Sequence, residues 1–146
     1  MPVRRRQSST LSFTVSQRYR APLNKVWEAA TKAKHLNLFF TTGAKGDITP
    51  ACTPVTWRWR GGISAVLEIT ACKPEASFEF HWTAPHNSPT TVRLEFSREN
   101  RRTVVRVKEW GWTSTHLVDA FDHCGGWSEF LYGLKADVQY GIDLRK

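Results

Sequence analysis

The sequence predicts an α+β domain: one strand, two short helices, an antiparallel meander and a single long helix at the C-terminal end. Three observations predict it. Apolar and polar residues alternate from Leu11 to Tyr19 and again in segment after segment between Gly43 and Trp112, and a period of two marks a half-buried strand. The connections between those segments are short turns, which suit antiparallel neighbours. Past Gly126 the period changes, with Trp127, Leu131, Leu134 and Val138 at offsets of four, seven and eleven, the stripe of an amphipathic helix.

Each element has its own warrant. Leu11, Phe13 and Val15 alternate with Ser12, Thr14 and Ser16, and Tyr19 continues the buried face. Ala21-Pro22 breaks the strand, and proline is tolerated just inside a helix start, where its missing N–H would be unpaired anyway. Leu23, Val26, Trp27 and Ala30 then follow at helical spacing, and Leu36, Phe39 and Phe40 predict a second short helix over about Lys34 to Phe40. Six strands are expected next. Ala44 to Thr49 is the first, stopped by Pro50 and Pro54. Val55, Trp57 and Trp59 form the second, turned by Gly61-Gly62. Ala65, Leu67 and Ile69 form the third, and Lys73-Pro74-Glu75 turns the chain into Phe78, Phe80 and Trp82. After a loop at His86-Asn87-Ser88-Pro89 come Val92, Leu94 and Phe96, then a hairpin over Arg98 to Arg102, then Val105 and Val107. With the first strand, about seven strands are expected. Ser114 or Thr115 is the expected N-cap of the last helix and Gly141 its stop, and Gly125-Gly126 is expected to kink it or start its regular part.

Composition bounds the function. A chain of 146 residues with 40% apolar and 23% charged residues makes one globular domain, read as residues 11–146 behind a basic, disordered tail at 1–10. No apolar run approaches the roughly 18 residues of a membrane span. Met1 to Thr10 has no apolar core of a secretory signal; its Arg4, Arg5, Arg6, Ser8 and Ser9 share the composition of a mitochondrial transit peptide, against which stands a strand pattern that begins at Leu11. Cys52, Cys72 and Cys124 are odd in number and scattered, which reads as reduced thiols in a cytoplasm. The net charge of +8 is an N-terminal feature: residues 1–60 hold eleven Lys/Arg against Glu28 and Asp47, whereas residues 61–146 hold ten against eleven Asp/Glu. Such a stretch can steer a protein to nucleic acid, but it lacks the interleaved aromatics and glycines of common RNA-binding modules, and a solvated tail is the favoured reading.

Several local motifs resemble the START-like superfamily, also called SRPBCC or birch-pollen-allergen-like, and within it the homologues of the activator of the ninety-kilodalton heat-shock protein ATPase. They are Ala21-Pro22 with Val26-Trp27, Val66-Leu67-Glu68-Ile69 followed by Lys73-Pro74 and Phe78 to Trp82, Glu109-Trp110-Gly111, and Gly126-Trp127 with Leu131, Leu134 and Lys135. The resemblance covers about residues 11–141 and implies the helix-grip fold, a curved antiparallel sheet wrapped on the long C-terminal helix with a cavity between them. It implies many possible functions, since fold alone does not set function.

The phase of the strands says which side chains would meet that cavity. Trp57, Trp59, Phe78, Phe80 and Trp82 share the face of Leu67 and Ile69, and Trp127 and Phe130 approach from the helix. These rings either line a stacking wall for a flat apolar ligand or fill the core outright. Glu109 points inward in the phase of Val105 and Val107, and His123 lies one turn before Trp127, so the two can hold a ligand's polar end or act as an acid–base pair. The alternative is a carboxylate that caps backbone or faces solvent. The leading expectation is therefore a non-catalytic, carrier-like domain, monomeric or homodimeric, that binds a small hydrophobic or aromatic molecule through these nine residues. A cyclase or dehydratase acting on a polyketide-like substrate through Glu109 and His123, as the superfamily implies, is the second reading. A domain that docks on a chaperone or another protein is the third, with an apolar patch expected around Trp110 and Trp112. No cofactor or metal is expected: there is no phosphate loop, nucleophile elbow or zinc motif, and the His81 and His86 pair is a poor metal site.

Overall fold

The computed structural model describes residues 11–83 and 89–146. The basic stretch at 1–10 and the loop residues His86 to Ser88 lie outside the described residues. The chain runs β1 (Leu11–Tyr19), α1 (Leu23–Thr31), α2 (Ala33–Phe39), β2 (Val55–Trp59), β3 (Ile63–Lys73), β4 (Ser77–Thr83), β5 (Pro89–Glu99), β6 (Arg102–Trp112) and α3 (Leu117–Tyr140). The strands form one antiparallel sheet in the order β1-β6-β5-β4-β3-β2. Strands β2 to β6 are the meander, and β1 closes the sheet on the far side of β6.

The predicted faces are the buried ones. Leu67, Phe78, Phe80, Val92, Leu94, Val105 and Val107 have no exposed surface, and the α3 stripe of Trp127, Leu131, Leu134 and Val138 is buried against them. Burying a large apolar side chain stabilises by about 1.5–3 kcal/mol, so this seam between sheet and helix is the main cohesive element of the fold. A second tie is polar: the hydroxyl of Tyr19, at the end of β1, donates to the Leu131 carbonyl on α3 at 2.8 Å. Helix α1 adds Trp27, whose ring meets the Phe96 ring at 4.9 Å and the Phe78 ring at 5.9 Å, both edge-on.

Four expectations need correction. Ala44 to Thr49 is not a strand, so the sheet has six described strands rather than about seven. Only Lys45 bridges to Thr56, while Ile48 N–H donates to the Thr31 carbonyl (2.9 Å) and Asp47 Oδ1 accepts from the Ala33 amide (2.8 Å). Past the Lys45 bridge the segment's hydrogen bonds go to the helices, and Gly46 at φ +87° turns it away from the sheet. Second, α3 starts at Leu117 behind a short 3₁₀ turn over Ser114–His116, and neither Ser114 nor Thr115 caps it. Third, α3 runs unbroken through Gly125 and Gly126 to Gly141, which ends it in the left-handed conformation at φ +65°. Fourth, Trp112 does not form an exposed patch: Gly111, at φ +114°, sits opposite an irregularity in the β1–β6 register, and Trp112 turns inward to stack on Phe13 at 5.4 Å.

Candidate functional site

Glu109 is the polar centre of the molecule. It lies on β6 in the inward phase, paired across the sheet with Phe13 and Val92, and it has no exposed surface. A buried carboxylate is costly unless donors surround it. Four do. Oε2 accepts from Thr90 Oγ1 (2.6 Å) and Trp82 Nε1 (3.0 Å) and is 2.9 Å from His123 Nδ1; Oε1 accepts from Trp127 Nε1 at 2.9 Å. Acceptor-only geometry suits the ionised carboxylate, with Nδ1 as the proton-bearing nitrogen of His123. Three elements, β4, β5 and α3, are thereby pinned to β6 through one side chain. His123 is further fixed by ring contacts with Trp112 (5.2 Å) and Trp82 (5.8 Å), both edge-on.

Beyond this clamp lies a groove of about 820 Å³. Helix α3 forms one side, with Phe121, His123, Trp127 and Tyr132; Trp59, Ile63 and Trp82 form the sheet side; Phe39 and Phe40, at the end of α2, and Leu144 and Arg145, in the C-terminal tail, complete it. Gly125 and Gly126 also line it, and a Cβ on either would meet nothing within 4 Å. Polar groups are few: Asp122, His123, Glu129 and Arg145. Arg145 is held by the carbonyls of Thr41 (3.1 Å) and Asn37 (3.2 Å) at the end of α2, and by Asp143, whose carboxyl this hydrogen bond pulls below the usual carboxylate range. A concave, mostly apolar surface with a few fixed polar groups is the ordinary form of a small-molecule site.

The nine residues singled out from the sequence separate into two layers. Trp59, Trp82, His123 and Trp127 line the groove. Trp57, Phe78, Phe80, Phe130 and Glu109 are fully buried beneath it. Trp57 meets Phe80 at 6.1 Å, Trp127 at 6.2 Å and Phe130 at 6.4 Å, so the inner rings pack on one another. The contact of Glu109 with His123, one of the two alternatives the sequence left open for this carboxylate, is present at 2.9 Å. Sequence reasoning missed Thr90, although it shares the phase of Val92, Leu94 and Phe96. It also missed Phe121, Tyr132, Leu144 and Arg145, which carry no periodic signal because they lie off the buried stripe. The Gly125-Gly126 pair was visible, but as a break rather than a groove wall. Among the described residues, no group of three His, Cys, Asp or Glu side chains is placed to hold a metal, and no helix is long and apolar enough to cross a membrane.

A six-stranded antiparallel sheet closed over one long helix, with two short helices after the first strand, defines a helix-grip domain of the SRPBCC type. Within that class, residues 20–139 match the family model "Activator of Hsp90 ATPase homolog 1-like protein", and the chain belongs to this family. Solved structures agree on the fold. The protein SSP2350 from Staphylococcus saprophyticus superposes with a TM-score of 0.79 at 17% identity, over 92% of this chain and 96% of that one. The Aha1 dimer from Colwellia psychrerythraea gives 0.77 at 20% identity, over 90% and 98%. DynU16, from the dynemicin biosynthetic locus, gives 0.78 at 18% identity over 89% of this chain, which spans about half of DynU16 (48%). No curated protein matches the chain in sequence.

Proposed function

We propose that this domain binds a small, flat, apolar or aromatic molecule in the groove between α3 and the β2–β3 end of the sheet, as a carrier rather than a catalyst. The observation that supports it is the lining: Phe39, Phe40, Trp59, Trp82, Trp127 and Tyr132 surround about 820 Å³, with few polar groups among them. Rings so placed stack on a planar ligand, and the polar residues at the rim set its orientation. The test is quenching of tryptophan fluorescence by a panel of planar aromatic compounds, with Trp59→Ala and Tyr132→Ala as controls. Saturable quenching weakened at least several-fold by either variant supports the reading; a flat response across the panel sinks it.

Glu109 bears on the cyclase-like alternative. A general acid or base must come within hydrogen-bond reach of the substrate. Both Glu109 oxygens are engaged by protein donors and the residue has no exposed surface, so in a catalytic reading His123 alone would meet substrate and Glu109 would orient it. A second reading, docking on a protein partner, is favoured by the first turns of α3, where Leu117, Val118 and Phe121 are 44%, 79% and 68% exposed. Pull-down with Val118→Asp and Phe121→Asp as controls tests it; capture that both variants leave unchanged would exclude this face.

A further inference from the structure

At the far end of the strands from the groove lies an open bowl of about 620 Å³. The groove meets the sheet at the end of β2, the start of β3 and the end of β4. The bowl sits where β5 turns into β6 and where β1 gives way to α1, and Arg20, Arg98, Arg101 and Arg102 line it. One carboxylate, Glu75 in the β3–β4 turn, lines it with them, which leaves an excess of three positive charges. Among the described residues no ion pair joins any of these arginines to a carboxylate, whereas Arg93, Arg106 and Arg145 each hold one. Glu99, beside the β5–β6 turn, is taken by Arg106 (2.7 Å) and Ser97 (2.8 Å). Pro22 gives α1 no side-chain cap, and the first turn of that helix holds no acidic residue. Like charges thus share one concavity, repel one another and lack an internal partner.

Two of the arginines are placed in a way that repulsion alone does not explain. Arg98 Nη1 donates to the Ala21 carbonyl (3.2 Å) and to Thr103 Oγ1 (2.9 Å), and the fully buried Thr103 hydroxyl donates to the same carbonyl (2.6 Å). The guanidinium is fixed through one nitrogen, and neither Nε nor Nη2 has an acceptor among the described residues. Arg101 takes the second position of the two-residue turn between Glu99 and Arg102, at φ +65°, after Asn100 at φ +50°. Glycine is the usual residue there, because a Cβ is crowded in the left-handed region. We infer that this bowl is an anion site, separate from the groove, that takes two adjacent phosphate groups of a small molecule. Guanidinium forks match phosphate oxygens in pairs, and several forks together suit a ligand with more than one negative charge. No aromatic ring lines the bowl among the described residues, so nothing there stacks a base, and the recognised unit is the diphosphate rather than a nucleic-acid strand.

The test is titration calorimetry of the full chain with inorganic pyrophosphate at low salt. Binding should be one-to-one and at least about tenfold tighter than that of orthophosphate. Arg101→Gly returns the turn to its usual residue, so it should keep or raise Tm while weakening pyrophosphate binding about tenfold, the effect of one charge-assisted hydrogen bond. Arg102→Gln should weaken it similarly, and Glu75→Gln should tighten it about two- to fivefold by removing the opposing charge. In NMR spectra pyrophosphate should move the amide resonances of Leu23, Asn24, Arg101 and Arg102 and leave those of Phe121 to Trp127 in place. Equal affinity for ADP and pyrophosphate supports recognition through the phosphates alone. Absence of binding, shifts confined to Phe121 to Trp127, or an affinity that Arg101→Gly leaves unchanged overturns the inference. Single-stranded RNA, or vesicles carrying a phosphoinositide bisphosphate, that bind more tightly than pyrophosphate and lose that binding in Arg101→Gly overturn the small-molecule assignment. The groove reading survives each of these outcomes.

Discussion

Replacing Glu109 by glutamine keeps the side chain's shape and removes its charge and one of its acceptors. With the amide oxygen in the Oε2 position, the new NH₂ faces Trp127 Nε1, donor against donor at the 2.9 Å now occupied by a hydrogen bond. Turned the other way, it faces Thr90, Trp82 and His123 together. Neither orientation satisfies the site. A hydrogen bond to a charged group contributes about 1.5–3 kcal/mol, and a stranded buried donor costs about 1–3 kcal/mol. Because the four donors share one carboxylate, these figures overlap, and the expected loss is about 3–5 kcal/mol. That is a large part of the roughly 5–15 kcal/mol that holds a domain folded, and corresponds to a fall in Tm of about 10–15 °C. Urea unfolding followed by circular dichroism measures it. Pairing the change with Trp127→Phe, which takes away the opposing donor, should recover about 1–2 kcal/mol relative to additivity. A loss under about 1 kcal/mol for Glu109→Gln would refute the clamp, and would leave Glu109 available for a role in chemistry.

Other perturbations test the packing around the same helix. Gly133→Ala places a Cβ 3.1 Å from Phe39 Cδ2 and 3.2 Å from the Phe39 carbonyl oxygen, and should destabilise by about 1–2 kcal/mol despite the better helix propensity of alanine. Gly125→Ala and Gly126→Ala meet nothing within 4 Å and should each stabilise by about 0.5–1 kcal/mol, so thermal melts of the three variants must split in sign. Tyr19→Phe should cost about 1–2 kcal/mol through loss of the bond to Leu131. Burial holds the Tyr19 phenol well above its ordinary value of 10, so ionisation favours the unfolded chain: this part of the stability is present below pH 10 and lost above it, and alkaline melts of the parent should fall more steeply than those of Tyr19→Phe. Burial also raises the carboxyl of Asp137, in the last turn of α3, above the usual range, against the pull of His35 and Lys25. Asp137→Asn should therefore raise neutral-pH stability by about 0.3–1 kcal/mol, an advantage that vanishes as acid protonates the parent carboxyl; an Asn variant less stable at pH 7 would contradict this.

Phase arguments carried the strands because a period of two leaves little freedom: once Leu67 and Ile69 face inward, so must Trp57, Phe78 and Phe80, and Glu109 follows Val105 and Val107. The α3 stripe was legible for the same reason. Ala44 to Thr49 misled because its composition suits an edge strand, while its Ile48 amide and Asp47 carboxylate found partners at Thr31 and Ala33 that only the folded chain presents.

Local pattern by itself determined which side chains leave water, since alternation and helical spacing fix a residue's direction relative to its own element. It therefore determined the fold class, the aromatic seam and the inward carboxylate. Tertiary structure decided how far the elements approach: that the inner rings close on one another, that Glu109 collects donors from Trp82, Thr90, His123 and Trp127, and that the open space lies outside them against Gly125 and Gly126. Distances between elements depend on packing volume and on loop partners far apart in the chain, and no period in a linear sequence encodes those.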